Sequence, residues 1–271
     1  MNVLELDASE LPAHGDLVAR CIARELTGFI VRGAFDAGVT GAFLSAATRE
    51  PPPFPMFDSK HFTGRTVGQV LVVSGDRLDG YFAAARRFRA ALAGEGGACA
   101  GLEERFHRLF ERLSGGLEVR PPRRDADDVY GPFTARELVP GGRIAAHCEN
   151  ETLRFPSMAD LRERIDPTTQ LSFYVPLQVP ERGGELVLST AEFGAGFGAE
   201  LGSLDRVAPK TLEALEQRRF GVLAPGVGDL LVFDAGRYFH QVTPVEGARP
   251  RWTLGGFLAF SRGRDAVFAW G

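Results

Sequence analysis

Lysine is almost missing from the 271 residues: it stands only at Lys60 and Lys210, and the other cationic side chains are arginine. That imbalance reads as coding bias and not as function. An excess of positive charge is lacking too. Acidic residues number 35 against 31 basic ones, giving a formal charge of -4 and a pI near 5.8, whereas phosphate binding leaves a basic stripe on a protein. Nucleic acid is therefore not an expected partner. Cys21, Cys99 and Cys148 are odd in number and too scattered for a disulfide framework or a zinc knuckle, which fits a reducing compartment. No apolar run approaches the ~18 to 20 residues of a membrane span, and the opening Met-Asn-Val-Leu-Glu-Leu-Asp has no basic stretch leading into an apolar one. The expectation is a cytoplasmic protein with no membrane partner. Also missing are a G-x-S-x-G elbow, a P-loop, a G-x-G-x-x-G after a strand and any internal repeat.

What is present suffices for a full core, since 44% of the residues are hydrophobic. Leu17, Cys21, Ile22 and Leu26 recur at helical spacing, and Phe29-Ile30-Val31 reads as a short strand. Asp36 is placed to cap a helix running to about Arg49, which ends against Pro51-Pro52-Pro53-Phe54-Pro55. Residues 51–75, with Phe54, Phe57 and Phe62 among prolines and glycines, read equally as a lid over a pocket or as an ordinary surface loop. Two amphipathic helices follow, one carrying Leu78, Phe82, Ala85, Phe88 and Leu92, the other Leu102, Phe106, Leu109, Phe110 and Leu113. Aromatic stripes at this spacing pack against a sheet more often than they line a cofactor box.

From Leu117 the pattern changes to short apolar runs between turn signals: 117–119, 133–139, 143–149, 170–179, 185–188, 219–223, 229–233, 240–245 and 252–260. Pro140-Gly141-Gly142, Arg182-Gly183-Gly184 and Gly226-Val227-Gly228 mark hairpins. Helical stretches interrupt the runs near Met158 to Ile165 and Leu212 to Gln217. The expected architecture is mainly β with flanking helices around a double-stranded β-helix, a cupin-like jelly roll. We read 1–271 as one domain, with 1–116 as helical support and possible lid and 117–271 as the jelly-roll core.

The chemistry concentrates on the run Arg143-Ile144-Ala145-Ala146-His147-Cys148-Glu149-Asn150. Side chains alternate along a strand, so this reading sets His147 and Glu149 on one face and Cys148 on the other. A second histidine, His240, lies ninety-three residues on, and Arg251 follows it by eleven. An isolated H-x-E occurs by chance in many chains; the weight comes from the set. Two histidines and a carboxylate form the facial triad of non-heme Fe(II) oxygenases, and arginine offers the planar fork that a dicarboxylate co-substrate needs. Thr253 shares the face of Arg251 and can bond the same carboxylate, while Trp252 faces away. His14, His61 and His107 lack metal-compatible neighbours, and turn chemistry accounts for the competing carboxylates Glu185 and Asp234. The reading is an oxygenase using Fe(II), 2-oxoglutarate and O2 on a small-molecule substrate.

Longer stretches carry a resemblance. Tyr130-Gly-Pro-Phe-Thr-Ala-Arg136, Gln170-Leu-Ser-Phe-Tyr-Val-Pro-Leu177, Gly228-Asp-Leu-Leu-Val-Phe-Asp-Ala-Gly-Arg-Tyr-Phe-His240 and Arg251-Trp-Thr-Leu-Gly-Gly-Phe-Leu-Ala-Phe-Ser261 resemble the freestanding Fe(II)/2-oxoglutarate halogenases of hapalindole and welwitindolinone alkaloid pathways. The likeness runs with gaps from about Gly28 to the last residue and is densest from Tyr130. It implies iron on His147 and His240, 2-oxoglutarate held at its distal carboxylate by Arg251, and Ile144, Thr152 and Ser172 facing the substrate. The chain departs from those enzymes where it has Glu149: they have glycine there, and the gap left by the missing carboxylate is where chloride binds iron. The region before Tyr81 is also a few residues shorter than theirs. The expected outcome is therefore hydroxylation, or a related desaturation or ring closure. The competing readings are a halogenase that uses the glutamate differently and a jelly-roll metal-binding protein without turnover.

Overall fold

A computed structural model describes residues 2–59, 62–75, 77–97, 99–192 and 219–271. The expected helix near Leu212 to Gln217 and the expectation for His61 lie outside them. The strands of the first half are β1 (Val3–Asp7), β2 (Gly28–Arg32), β3 (Met56–Asp58), β4 (Gly64–Val67), β5 (Val119–Arg120), β6 (Thr134–Leu138), β7 (Ile144–His147) and β8 (Leu171–Gln178). Those of the second half are β9 (Arg182–Gly183), β10 (Leu186–Glu192), β11 (Arg219–Leu223), β12 (Leu230–Phe233), β13 (Tyr238–Val242), β14 (Val245–Glu246), β15 (Arg251–Phe260) and β16 (Val267–Trp270). Six α-helices are described: α1 (Leu17–Ile22), α2 (Ala37–Thr48), α3 (Asp79–Glu95), α4 (Leu102–Leu113), α5 (Glu149–Thr152) and α6 (Ala159–Arg164).

Two sheets make the jelly roll. The larger runs β1-β2-β12-β8-β15-β6-β4-β3, with β16 pairing β15 and β5, and the smaller runs β11-β10-β13-β7. Strand periodicity decides what each face holds. On β8, Leu171, Phe173, Val175 and Leu177 join the large apolar cluster, and on β15 Trp252, Leu254 and Leu258 do the same. The helices cover that outer face: Phe106 and Phe110 of α4 lie 5.3 and 4.8 Å from the Phe173 ring, and Phe88 of α3 lies 5.5 Å from Phe133. Truncating a buried phenylalanine of this kind costs about 3–5 kcal/mol. The alternate residues Ser172, Tyr174, Arg251 and Thr253 are left on the inner face, turned toward the smaller sheet. Apolar residues of both sheets, among them Leu138, Leu188, Leu231, Phe233 and Val242, close the sandwich on that side.

Asp36 caps α2 as its position predicts, its carboxylate accepting from the Val39 amide at 2.9 Å. Other expectations need correction. The first helix ends at Ile22, before Leu26. The run 240–245 is not one strand, because β13 stops at Val242 and Val245 belongs to β14, paired with β9. Residues 56–67 are not a bare loop: β3 and β4 form a hairpin that extends the larger sheet beside β6. Flanking prolines and glycines masked its short alternation. Most consequential, the strand expected over 143–149 ends at His147, and Glu149 opens the single-turn helix α5.

Candidate active site

His147 and His240 meet because β7 and β13 are antiparallel with these two residues directly opposite each other. Their ring centroids are 4.2 Å apart. Glu149 arrives by a different route from the alternation that the sequence suggests. After His147 the chain leaves the sheet, the Glu149 amide donates to the Ala235 carbonyl at 3.0 Å, and α5 begins. This turn carries the Glu149 carboxylate back over the histidines, with Oε1 3.5 Å from Nε2 of His147 and 3.8 Å from Nε2 of His240. Cys148 does face away: its thiol donates to the Gly236 carbonyl at 3.0 Å.

The histidine orientations are fixed by the backbone. Nδ1 of His147 lies 2.8 Å from the Ala145 carbonyl, and Nδ1 of His240 lies 3.0 Å from the Tyr238 carbonyl. A carbonyl only accepts, so each Nδ1 carries the proton and donates it, and each Nε2 is left to face Glu149. Burial, then the neighbouring His147, push the His240 pKa down to about 3 despite the Glu149 charge, so this ring is a neutral donor. For Glu149 burial acts upward, but the adjoining His147, with the fields of His240 and Arg136, outweighs it and holds the carboxyl below its ordinary range. A neutral imidazole and an ionised carboxylate thus turn lone pairs toward one another, and the ligand atoms of the three residues all lie within 4.8 Å. That donor set fits a divalent iron, for which two imidazoles and a carboxylate on one face leave further positions open.

Arg251 lies on the opposite wall of the same narrow cavity. It is 6% exposed, its Nη1 donates to Thr253 Oγ1 at 3.3 Å, and its guanidinium carbon sits 5.2 Å from the centre of the Tyr174 ring. Among the described residues no carboxylate pairs with it, and burial, opposed by Tyr174, lowers its pKa. A buried cation without an acid is costly unless an anion joins it. Gly184 borders its stem: φ is +70°, and a Cβ there would sit 3.0 Å from Arg251 Cδ, so this turn glycine also leaves the arginine its room.

A larger cavity of about 470 Å³ borders His147 and Glu149, but not His240, and shares Thr134, Arg136, Ile144 and Phe257 with the narrow one. Phe57, Phe62 and Val70 to Val73 wall it, so the 51–75 segment lines a pocket, and Trp270 closes another side. Of the expected substrate-facing residues, Ile144 borders both cavities, Thr152 borders the large one with its hydroxyl committed to the Glu149 carbonyl at 2.6 Å, and Ser172 borders only the narrow one. Thr253 lines the narrow cavity beside Arg251. His107 stands on α4, and the Asp234 carboxylate accepts from the Arg237 amide at 3.1 Å in a turn; neither joins the cluster. The sequence reading passed over Arg136 and Tyr174. Arg136 precedes Glu137, and the two look like an exposed ion pair, but Glu137 pairs with Arg65 at 2.8 Å instead.

All of the chain, residues 1–271, matches the family described as "Carrier-protein-independent halogenase WelO5". No curated protein matches it. Among solved structures it is similar to an N-substituted L-amino acid dioxygenase from Burkholderia ambifaria AMMD, at 19% identity over 94% of this chain and 90% of that one with a TM-score of 0.57. A prolyl hydroxylase from Trichoplax adhaerens, solved with a hypoxia inducible factor peptide, shares 12% identity over 95% and 93% of the two chains with a TM-score of 0.51. At such identities the likeness is one of fold, and it agrees with the jelly roll described above.

Proposed function

The chain belongs to the carrier-protein-independent halogenase family, a group of Fe(II)- and 2-oxoglutarate-dependent oxygenases, and we propose that this member hydroxylates an unactivated C–H bond of a small natural-product intermediate. The observation that carries the proposal is the buried Glu149 carboxylate, set against both histidine Nε2 atoms where the alkaloid halogenases have glycine. His147, Glu149 and His240 would hold the iron. Bound there, iron would supply the activation of O2 that is coupled to decarboxylation of 2-oxoglutarate and to oxidation of the substrate. With a carboxylate as third ligand, the position that a halide needs is taken.

The remaining residues position and exclude. Arg251 and Thr253 hold the distal carboxylate of 2-oxoglutarate, the guanidinium by its planar fork and the threonine by its hydroxyl. Tyr174 stacks the guanidinium from the side and keeps the fork aimed. The fixed Nδ1 contacts keep both Nε2 atoms directed at the metal position before it is filled. Ile144 and Thr152 shape the near wall of the large cavity, and Ser172 stands beside the co-substrate. In this reading 1–271 acts as one oxygenase domain, in which 117–271 carries the donors and 57–73 completes the substrate wall.

Family membership favours a second reading, halogenation, and one experiment separates the two. The protein is incubated with Fe(II), 2-oxoglutarate, a substrate that it turns over and high chloride, and products are read by mass spectrometry. Succinate with a product heavier by one oxygen is expected. A chlorine isotope pattern in the main product would overturn hydroxylation and remove Glu149 from the working ligand set. Absence of substrate-stimulated succinate across a screen would instead favour a metal-binding protein without turnover.

A further inference from the structure

Beyond Arg251, the site holds a second cation that has no partner among the described residues. Arg136 stands on β6 opposite Thr253 of β15 and Thr66 of β4, so it rises from the same sheet face as Thr253. It borders both the narrow cavity and the large one. Among the described residues its guanidinium forms no ion pair and donates no hydrogen bond. Burial lowers its pKa, and the one charge acting the other way is Glu149, which is not close enough for an ion pair. Holding a guanidinium half-buried and unpaired in such a place is unfavourable unless a ligand brings an anion.

A count of charges, which rests on the oxygenase reading above, narrows what that anion belongs to. The two positive charges of Fe(II) are matched by Glu149 and the C1 carboxylate of 2-oxoglutarate. The distal carboxylate is matched by Arg251. Arg136 is left over with every expected cofactor in place, and it is left over on the wall that the cofactor cleft shares with the cavity of about 470 Å³. The other acid on that cavity's wall, Asp58, is an exposed residue of the β3 hairpin. The rest of the wall is largely apolar, with Phe57, Phe62, Leu71, Met158 and Trp270.

We propose that the substrate is an apolar body bearing one carboxylate, and that Arg136 is the specificity-determining residue that pairs with it. The pairing would hold one end of the substrate beside the three donors and leave the apolar body to fill the outer cavity, so that the C–H bonds nearest the carboxylate lie closest to the iron position.

The test uses four probe acids, benzoate, phenylacetate, 3-phenylpropionate and indole-3-acetate, each beside its neutral amide. Binding is measured by anaerobic calorimetry on full-length protein loaded with Fe(II) and saturating 2-oxoglutarate, so that Arg251 is occupied and no turnover occurs. At least one acid is expected to bind 10-fold or more tighter than its amide. Arg136→Gln should abolish that preference and Arg136→Lys should keep part of it, with 2-oxoglutarate affinity within about 2-fold of wild type in both. Equal binding of acids and amides, no acid binding below millimolar concentration, or a preference that survives Arg136→Gln would each overturn the proposal. A 10-fold loss of 2-oxoglutarate affinity in Arg136→Gln would overturn it as well, by assigning the arginine to the C1 carboxylate. Should the wild-type protein itself fail to bind 2-oxoglutarate with Fe(II), the oxygenase reading falls and this inference with it.

Discussion

Replacing Arg251 by methionine should make the protein more stable and its co-substrate site worse, a pair of opposite effects that few other substitutions share. In the absence of ligand the guanidinium is 6% exposed, donates to Thr253 at 3.3 Å and, among the described residues, has no acid beside it. Exchanging a buried, poorly compensated charge for an apolar side chain of similar volume stabilises by about 1–4 kcal/mol. For a chain of this length that is several degrees in Tm, at roughly 2–4 °C per kcal/mol. The co-substrate loses a charge-assisted, two-pronged contact in which each hydrogen bond to a charged group contributes about 1.5–3 kcal/mol. Because Thr253 remains as a donor, we take a net loss near 3 kcal/mol, or roughly 100-fold in Kd for 2-oxoglutarate. Arg251→Lys separates charge from geometry: it keeps the cation and loses the fork, so its affinity should fall between the two. The assays are thermal unfolding without ligand and anaerobic calorimetry with Fe(II) and 2-oxoglutarate. Wild-type affinity in Arg251→Met would place the anchor elsewhere, and a lower Tm in the ligand-free variant would refute the claim that this cation is uncompensated.

Three further outcomes are expected. His147→Ala and His240→Ala should each weaken Fe(II) binding by well over the ~10 to 100-fold typical of a residue behind the ligands while circular dichroism stays native; unchanged iron affinity in either removes that residue from the site. Glu149→Gln keeps the shape and removes the charge, so it should also weaken iron, and an affinity equal to wild type would mean that the carboxylate is not a ligand. Asp234, whose carboxyl burial pushes from 3.8 up to about 6 against the opposing field of Arg237, binds its proton more tightly when folded than when unfolded, so it costs stability as pH rises from about 4 through 6. Asp234→Asn should therefore be more stable than wild type at pH 8, by on the order of 1–3 kcal/mol, with the gain vanishing near pH 4; a difference that does not change with pH would contradict the assignment.

Much of this molecule was legible because its signals are periodic. The β8 and β15 runs alternate so cleanly that the sequence alone places Arg251 and Thr253 on one face and Trp252 on the other. The donors were legible as residues but not as geometry. Glu149 reaches the histidines because the chain turns into α5 at that point, and the two-residue spacing that suggested strand alternation is fulfilled by a helix start. The β3–β4 hairpin was hidden because its strands have 3 and 4 residues between turn formers, too few for a period to register. Arg136 was hidden by its neighbour. An adjacent arginine and glutamate resemble a solvated pair, and only the cross-strand contact of Glu137 with Arg65 shows that the two face opposite ways.

The carbonyl contacts of the two histidines bear on how such a site diversifies. Each ring is oriented by a backbone oxygen two residues earlier on its own strand, at Ala145 and Tyr238, and no substitution of a side chain can delete a backbone oxygen. The aim of both imidazoles is thereby insulated from drift in the residues around them, including position 149. Under the proposed iron assignment, a change at position 149 alone would alter what the metal can accept, without the histidine pair having to be re-established. The proposed ligand pair is then held by the backbone of its own strands, whereas the third donor rests on a single side chain.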